Sequence, residues 1–234
     1  MDRIAQLNDN LNIVRQRMTD AAATGGRDSD AVQLVAVTKY VDAELTRELV
    51  QCHCYVLGES RPQQLWEKSD VIEDTRVRWQ LIGHLQRNKI QRTLPLVELI
   101  HSLDSERLLK AVDAAAATLG RPAFGLLEVN ISGDETKHGW SPDELPRMLD
   151  ELESFRHLRI TGLMAMASLQ GGIDQAEREF AAVRELRDAL RNRCPPNVNL
   201  DELSMGMSRD FEAAIRQGAT LVRVGSILFE GLDA

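Results

Sequence analysis

Eight short apolar runs recur along the chain, and a segment of helical periodicity separates each from the next. The runs cover residues 32–39, 54–59, 78–84, 99–104, 124–132, 158–166, 202–208 and 220–226. Several are nearly continuous in Val, Leu, Ile and Met rather than alternating, as parallel strands covered on both faces are. The intervening segments carry helix signals. "VDAELTRELVQ" opens on Asp42 as a cap, "HLQRNKIQRTL" follows the third run, and "DSERLLKAVDAAAATLG" ends on Gly120, a residue suited to a left-handed helix end. In "SPDELPRML", Ser141 as cap, Pro142 in the first turn and Glu144 three residues after the serine have capping-box spacing, with Pro146 expected to kink the helix early. "DQAEREFAAVRELRDALRNR" is strongly amphipathic, "SRDFEAAIRQG" closes at Gly218, and residues 4–24 form a further helix before the first strand.

Strands alternating with helices predict βαβ units and a parallel sheet. Eight such units in 234 residues predict one α/β domain spanning 1–234, a single (β/α)8 TIM-type barrel with an extra N-terminal helix. The competitor is an open doubly wound sheet. That fold usually carries a Gly-rich turn after the first strand, and "TKYVDAE" has none.

Composition narrows the partners. A net charge of −8 leaves no basic stripe for nucleic acid. No apolar run approaches the ~18 residues of a membrane span, and "MDRIAQLNDN" lacks the apolar core of a signal peptide. Three cysteines, Cys52, Cys54 and Cys194, fit a reducing cytoplasm better than a disulfide framework. The "CHC" at 52–54 has no second ligand pair, so it reads as two small buried thiols on a strand rather than a metal site.

In a barrel, the C-terminal ends of the strands build the active face. Those ends supply Lys39, Glu59, His84, Asp104, Asn130 with Ser132, Met166, Ser208, and Arg223 with Gly225. Lys39 ends "LVAVTK". It either snorkels to water or sits in a pocket where burial lowers its pKa and frees the amine for Schiff-base chemistry. Near the chain's end, "SMGMSRDFEAAIRQGATLVRVGS" reads strand, serine, helix, glycine, strand, Arg-x-Gly-Ser. Barrel loops after strands seven and eight often hold a phosphate, and Ser208 and Ser226 stand at expected helix starts, where capping and phosphate binding are compatible. A Schiff-base lysine opposite a phosphate cup points to pyridoxal phosphate.

"VAVTK", "LIGHLQRNK", "HSLDS", "EVNIS" with Lys137 and Gly139 beyond, "GLMAM" and "LSMGMSRDFEAAIRQGATLVRVGS" occur in the order of one family. The chain resembles the YggS/PROSC-type pyridoxal phosphate homeostasis proteins along nearly its whole length. The resemblance implies a barrel of the alanine racemase N-terminal domain type, with pyridoxal 5′-phosphate held on Lys39 as a Schiff base. It places Arg223 at the pyridine nitrogen and Ser208, Gly225 and Ser226 at the phosphate. Met166 walls the ring by strand position, and Asn88 of "LQRNK" belongs to the pocket. An arginine at the nitrogen makes a weaker electron sink than an aspartate would. Three positions depart from the family pattern: Ser60 replaces an asparagine, Gln80 a histidine and Glu230 a glycine near the phosphate loop.

The function implied is a cytoplasmic carrier or buffer of pyridoxal phosphate with little or no catalysis, delivering to apo-enzymes that depend on it. An amino-acid racemase or a class I aldolase using Lys39 are the alternatives, and a cofactor-free scaffold is a third. The chain lacks the second domain that brings a tyrosine base across the racemase dimer, so a monomer is expected. Its two tyrosines are Tyr40 and Tyr55, and Tyr40 points away from the pocket if the strand continues; His84 and Lys137 are the groups able to reach the second substrate face.

Overall fold

The computed structural model describes residues 2–134, 138–168 and 170–232. Strands and helices alternate: α1 (Arg3–Thr24), β1 (Gln33–Val37), α2 (Ala43–Gln51), β2 (Val56–Glu59), α3 (Pro62–Ser69), β3 (Arg78–Leu81), α4 (Ile90–Thr93), β4 (Val97–Leu103) and α5 (Glu106–Leu119). The second half continues with β5 (Ala123–Val129), α6 (Leu145–Leu152), β6 (Leu158–Ala165), α7 (Gly172–Leu190), β7 (Val198–Met207), α8 (Phe211–Arg216) and β8 (Leu221–Val224). Each strand pairs in parallel with the next, and β8 closes on β1 with Val35 opposite Arg223 and Ala36 opposite Val224. The expected (β/α)8 barrel is the fold.

Most apolar burial lies between the strand cylinder and the helices, where Leu49, Leu109, Phe180, Val183 and Phe211 are fully covered. A smaller cluster of Val35, Leu126, Met164 and Leu221 fills the barrel interior, with Val56, Ile82 and Leu99 against it. The extra helix α1 buries Leu7, Leu11, Val14 and Met18, a spacing that makes one helical stripe. Asn10 on that stripe donates to the carbonyls of Leu228 and Glu230, both at 3.0 Å, and so ties the end of the chain to α1.

Local signals succeed where a side chain satisfies a helix end. Asp42 accepts the Leu45 N–H at 2.8 Å, and Gly120 closes α5 at φ 73°. Elsewhere the boundaries move. The first strand ends at Val37, because Val41 N–H donates to the Thr38 carbonyl at 3.1 Å and turns the chain through Lys39 and Tyr40. The helix after β3 breaks into a one-turn 3-10 helix, Arg87–Lys89, and the short α4. Ser141 and Glu144 do bond, Oγ to Oε2 at 2.8 Å, yet they close a turn, and α6 starts at Leu145. Pro146 therefore falls in the first turn, where its missing N–H costs nothing, and no kink results.

Candidate active site

Lys39 sits two residues beyond β1, in the turn that Thr38 anchors. A buried ion pair holds that anchor. Lys68 Nζ donates to the Thr38 carbonyl at 2.7 Å and pairs with Glu59, and Thr38 Oγ1 donates to Glu59 Oε1 at 2.7 Å. Glu59, expected at the active face, is thus fully buried beneath the turn. Above it Lys39 is half-buried, and its amine lies 4.8 Å from the centre of the Tyr40 ring. The strand has already ended at Val37, so strand alternation does not set the direction of Tyr40, and the turn brings its ring beside the Lys39 amine. The ring is itself 81% exposed, so it borders the mouth rather than lining the interior.

Arg223 stands on β8, one strand from Lys39, with its guanidinium inside the barrel. It donates to the Ser204 carbonyl at 2.8 Å, the Ser204 hydroxyl at 2.5 Å and the Ala165 carbonyl at 3.0 Å. Burial holds its pKa down to about 10, opposed by Glu128 and Asp210, so it is a cation at neutral pH. The Ser204 hydroxyl also bonds His101 Nδ1 at 2.8 Å, and His101 Nε2 lies 2.8 Å from Gln80 Oε1. An amide oxygen only accepts, so Nε2 carries the proton and Nδ1 accepts from Ser204. Burial first, then the Arg223 charge, pushes the His101 pKa well below the ordinary histidine range. Gln80, one of the departures from the family pattern, is the residue that fixes this neutral tautomer.

The residues expected to form a phosphate cup meet by a different route from the one predicted. Helix α8 begins at Phe211 behind Asp210, not at Ser208, because Asp210 Oδ1 accepts the Met207 N–H at 2.6 Å and closes the turn. Ser208 instead bridges two strand ends, its hydroxyl accepting the Gly225 N–H at 3.1 Å. A Cβ on Gly225 would lie 3.0 Å from the Val37 carbonyl, so a larger residue would force the end of β8 and β1 apart by a few tenths of an ångström. Ser226 is exposed at the start of a one-turn 3-10 helix, Ser226–Phe229. The ends of β7, β8 and β1 therefore bring Ser208, Gly225, Ser226 and Lys39 to one side of the mouth.

Across the mouth stand β3, β4 and β5. His84 Nδ1 lies 2.8 Å from Asp104 Oδ2, and the His84 ring stacks on His138 with centroids 4.9 Å apart. Glu128 is buried nearby on β5. Burial, then the Asp104 charge, raises its pKa to about 7 against the pull of Arg223 and His84.

The family profile "Alanine racemase, N-terminal domain" matches residues 4–233. A pyridoxal phosphate homeostasis protein of Aquifex aeolicus is 36% identical over 221 residues, covering 94% of this chain and 96% of its own. The Pseudomonas aeruginosa protein of the same name is 34% identical, covering 96% and 95%. The chain belongs to the pyridoxal phosphate homeostasis family. Among solved structures, PipY of Synechococcus elongatus with pyridoxal phosphate bound superimposes with a TM-score of 0.84 at 32% identity, covering 95% of this chain and 99% of that one.

Within this homeostasis-family barrel the remaining expected positions scatter. Met166 follows β6 and is 36% exposed at the rim. Asn88 is exposed on the 3-10 turn after β3, and among the described residues no hydrogen bond joins its side chain to the Lys39 side. Lys137 lies outside the described residues. Glu230 is exposed, its backbone held by Asn10, so its carboxylate is turned to solvent rather than into the cup. Cys52 and Cys54 are not on one strand: Cys52 caps α2 and His53 follows at φ 59°. Burial pushes the Cys54 thiol up to about 12. His101 and Ser204 lie inside the quoted "HSLDS" and "LSMGM" motifs but carry no individual expectation, since each looks like an ordinary strand residue. Their local signal is polarity in otherwise apolar, inward-facing positions.

Proposed function

We propose that this barrel binds pyridoxal 5′-phosphate and serves its homeostasis as a carrier or buffer. The donor set fits the group. A half-buried amine, a buried guanidinium, a serine hydroxyl and a glycine N–H stand on or just beyond three neighbouring strands. When bound, the cofactor supplies an aldehyde that an amine captures reversibly. Lys39 is that amine. Arg223 presents its uncommitted N–H donors to the pyridine nitrogen and, as a cation held in place by Ser204 and Ala165, keeps that nitrogen an acceptor. Ser208, Gly225 and Ser226 receive the phosphate, and Met166 and Asn88 border the ring from the rim. The single observation carrying this reading is the Ser208–Gly225 bridge beside the end of β1.

On this reading the chain is one cofactor-binding domain, working as a monomer in the cytoplasm and releasing its cargo to apo-enzymes that need it. No helix of the described residues is long and apolar enough to cross a membrane. The racemase and aldolase alternatives share the amine and the cup, but the relatives at 34–36% identity are named for homeostasis rather than for turnover.

The visible absorption of the purified protein, before and after borohydride and beside Lys39→Ala, tests the proposal. A yellow band in the parent, lost on reduction and absent from the variant, is the expected result. A protein that stays colourless with added pyridoxal phosphate overturns it, and steady production of the mirror-image amino acid, abolished by Lys39→Ala, replaces the carrier with a racemase.

A further inference from the structure

Three strand ends on the far side of the mouth each deliver one metal-ligating side chain. His84 follows β3, Asp104 follows β4, and His138 returns beside β5. One ligand atom from each lies within 4.8 Å of the others. The Asp104 carboxylate is only 6% exposed, whereas the His84 side chain is 48% exposed. The set is thus anchored at its base and open to solvent above.

Each ligand is fixed by its backbone rather than left on a free loop. The Gly83 carbonyl accepts the Ser102 hydroxyl at 2.6 Å, and a Cβ on Gly83 would lie within 2.9 Å of the Ser60 backbone, which locks the residue before His84. Asp104 directly follows Leu103, whose carbonyl accepts the Trp140 indole N–H at 3.0 Å. Trp140 also pairs with β5 as a parallel bridge to Val129, donating to the Glu128 carbonyl at 2.8 Å while its own carbonyl accepts the Asn130 N–H at 2.9 Å. Gly139, at φ 110°, has no room for a Cβ, which would stand 2.8 Å from the Glu128 carbonyl. One tryptophan therefore pins the 138–140 segment to both β4 and β5, and that pinning brings His138 to Asp104. Preorganised ligands on rigid elements are what a metal site needs.

We propose that His84, Asp104 and His138 form a site for a divalent transition-metal ion of the zinc class, distinct from the cofactor cup. Two imidazoles and one carboxylate with open positions suit such ions, whereas calcium and magnesium prefer all-oxygen sets. His84 Nδ1 and Asp104 Oδ2, 2.8 Å apart, subtend roughly a right angle at an ion about 2.1 Å from each. The exposed His138 ring completes the set by rotating about its side-chain bonds, and water fills the remaining positions. The ion also offsets the crowding of Asp104 by the buried Glu128 carboxyl. None of the three ligands belongs to the Lys39, Ser208, Gly225 and Ser226 side, although buried Glu128 feels both Arg223 and His84.

The test is calorimetric titration of zinc into the metal-stripped full chain, with cobalt as a visible probe, on the parent, His84→Ala, Asp104→Asn and His138→Ala. One equivalent in the parent, weakened at least tenfold in each variant, is expected, with a cobalt spectrum free of sulfur-to-metal charge transfer. His138→Ala removes an exposed ring and leaves the fold intact, which its circular dichroism checks. Zinc affinity that changes less than twofold in all three variants, or a cobalt spectrum showing thiolate ligation by the cysteines, overturns the site. Pyridoxal phosphate absorption recorded on the same samples reports the cofactor reading separately.

Discussion

Inside the barrel the Ser204 hydroxyl sits between two nitrogens, accepting from Arg223 Nη1 at 2.5 Å and donating to His101 Nδ1 at 2.8 Å. The order of donors is forced. Arginine only donates and the Gln80 oxygen only accepts, so the chain runs from Arg223 through Ser204 and His101 to Gln80. Its four members come from β8, β7, β4 and β3, and together they hold a buried cation in place inside the barrel.

The relay makes stability depend on pH in a definite direction. An unfolded histidine takes up a proton near pH 6.5, whereas folded His101 resists protonation because it is buried beside Arg223. Below pH 6.5 the unfolded state therefore binds more protons, and stability falls as pH falls. This one residue contributes a slope of up to about 1.4 kcal/mol per pH unit. Urea unfolding of the parent and His101→Gln between pH 5 and 7 measures it. The variant is expected to be less stable at pH 7 yet to lose less on acidification, and parallel curves would remove His101 as the source.

Beneath Lys39 the ion pair of Lys68 and Glu59 gives a second expectation. Both side chains are at most 5% exposed, so deleting one strands the other in a dry site. Lys68→Met should destabilise the chain by about 3–5 kcal/mol, and Lys68→Met with Glu59→Leu should recover much of that loss. If the ion pair only cemented the fold, the recovered double variant would hold pyridoxal phosphate as tightly as the parent. We expect it to hold the cofactor more weakly, because Thr38, which Lys68 and Glu59 both grip, sets the position of Lys39.

How far the sequence carries depends on where each interaction is formed. The barrel follows from local patterns, eight apolar runs separated by amphipathic helices, and so do caps such as Asp42. Lys39, Ser208 and Gly225 could be singled out because they end strands inside distinctive motifs, and the fold brings those strand ends side by side. Ser208 was expected at a helix start, and it bridges two strand ends instead. Its bond to Gly225 spans 17 residues, and no local signal distinguishes a serine that caps a helix from one that bridges two strand ends. His101 and Ser204 are 103 residues apart, and Trp140 reaches back 37 residues to Leu103. Such contacts exist only after closure of the barrel, so periodicity and spacing are silent about them.

Ser208→Ala isolates one wall of the cup. The hydroxyl is half-buried and among the described residues bonds only the Gly225 N–H, so its loss should cost the fold little. A hydrogen bond to a charged phosphate is worth about 1.5–3 kcal/mol, so cofactor affinity should drop about tenfold or more. The yellow band should still saturate at higher pyridoxal phosphate, since Lys39 is untouched. Titration by absorbance reads both effects, and unchanged affinity would take Ser208 out of the cup.

Gly206 tests the packing that brings the cup together. It lies in β7 at φ 90°, and a Cβ there would meet Ala214 Cβ at 2.5 Å and Phe211 Cα at 2.8 Å. Both partners belong to α8, so the glycine permits the close approach of strand and helix that sets the turn through Ser208 and Asp210. Gly206→Ala combines backbone strain with overpacking against rigid backbone, and should destabilise by about 3 kcal/mol. The strain need not all appear as lost stability. Relief by pushing α8 outward would pull Asp210 from the Met207 N–H and Ser208 from Gly225. Unfolding and pyridoxal phosphate titrations on the same variant divide the two effects: lower stability with normal affinity means α8 holds its place, and weakened affinity as well means the helix has moved and taken the cup with it. A variant as stable as the parent and binding equally well would show that this contact does not constrain the site.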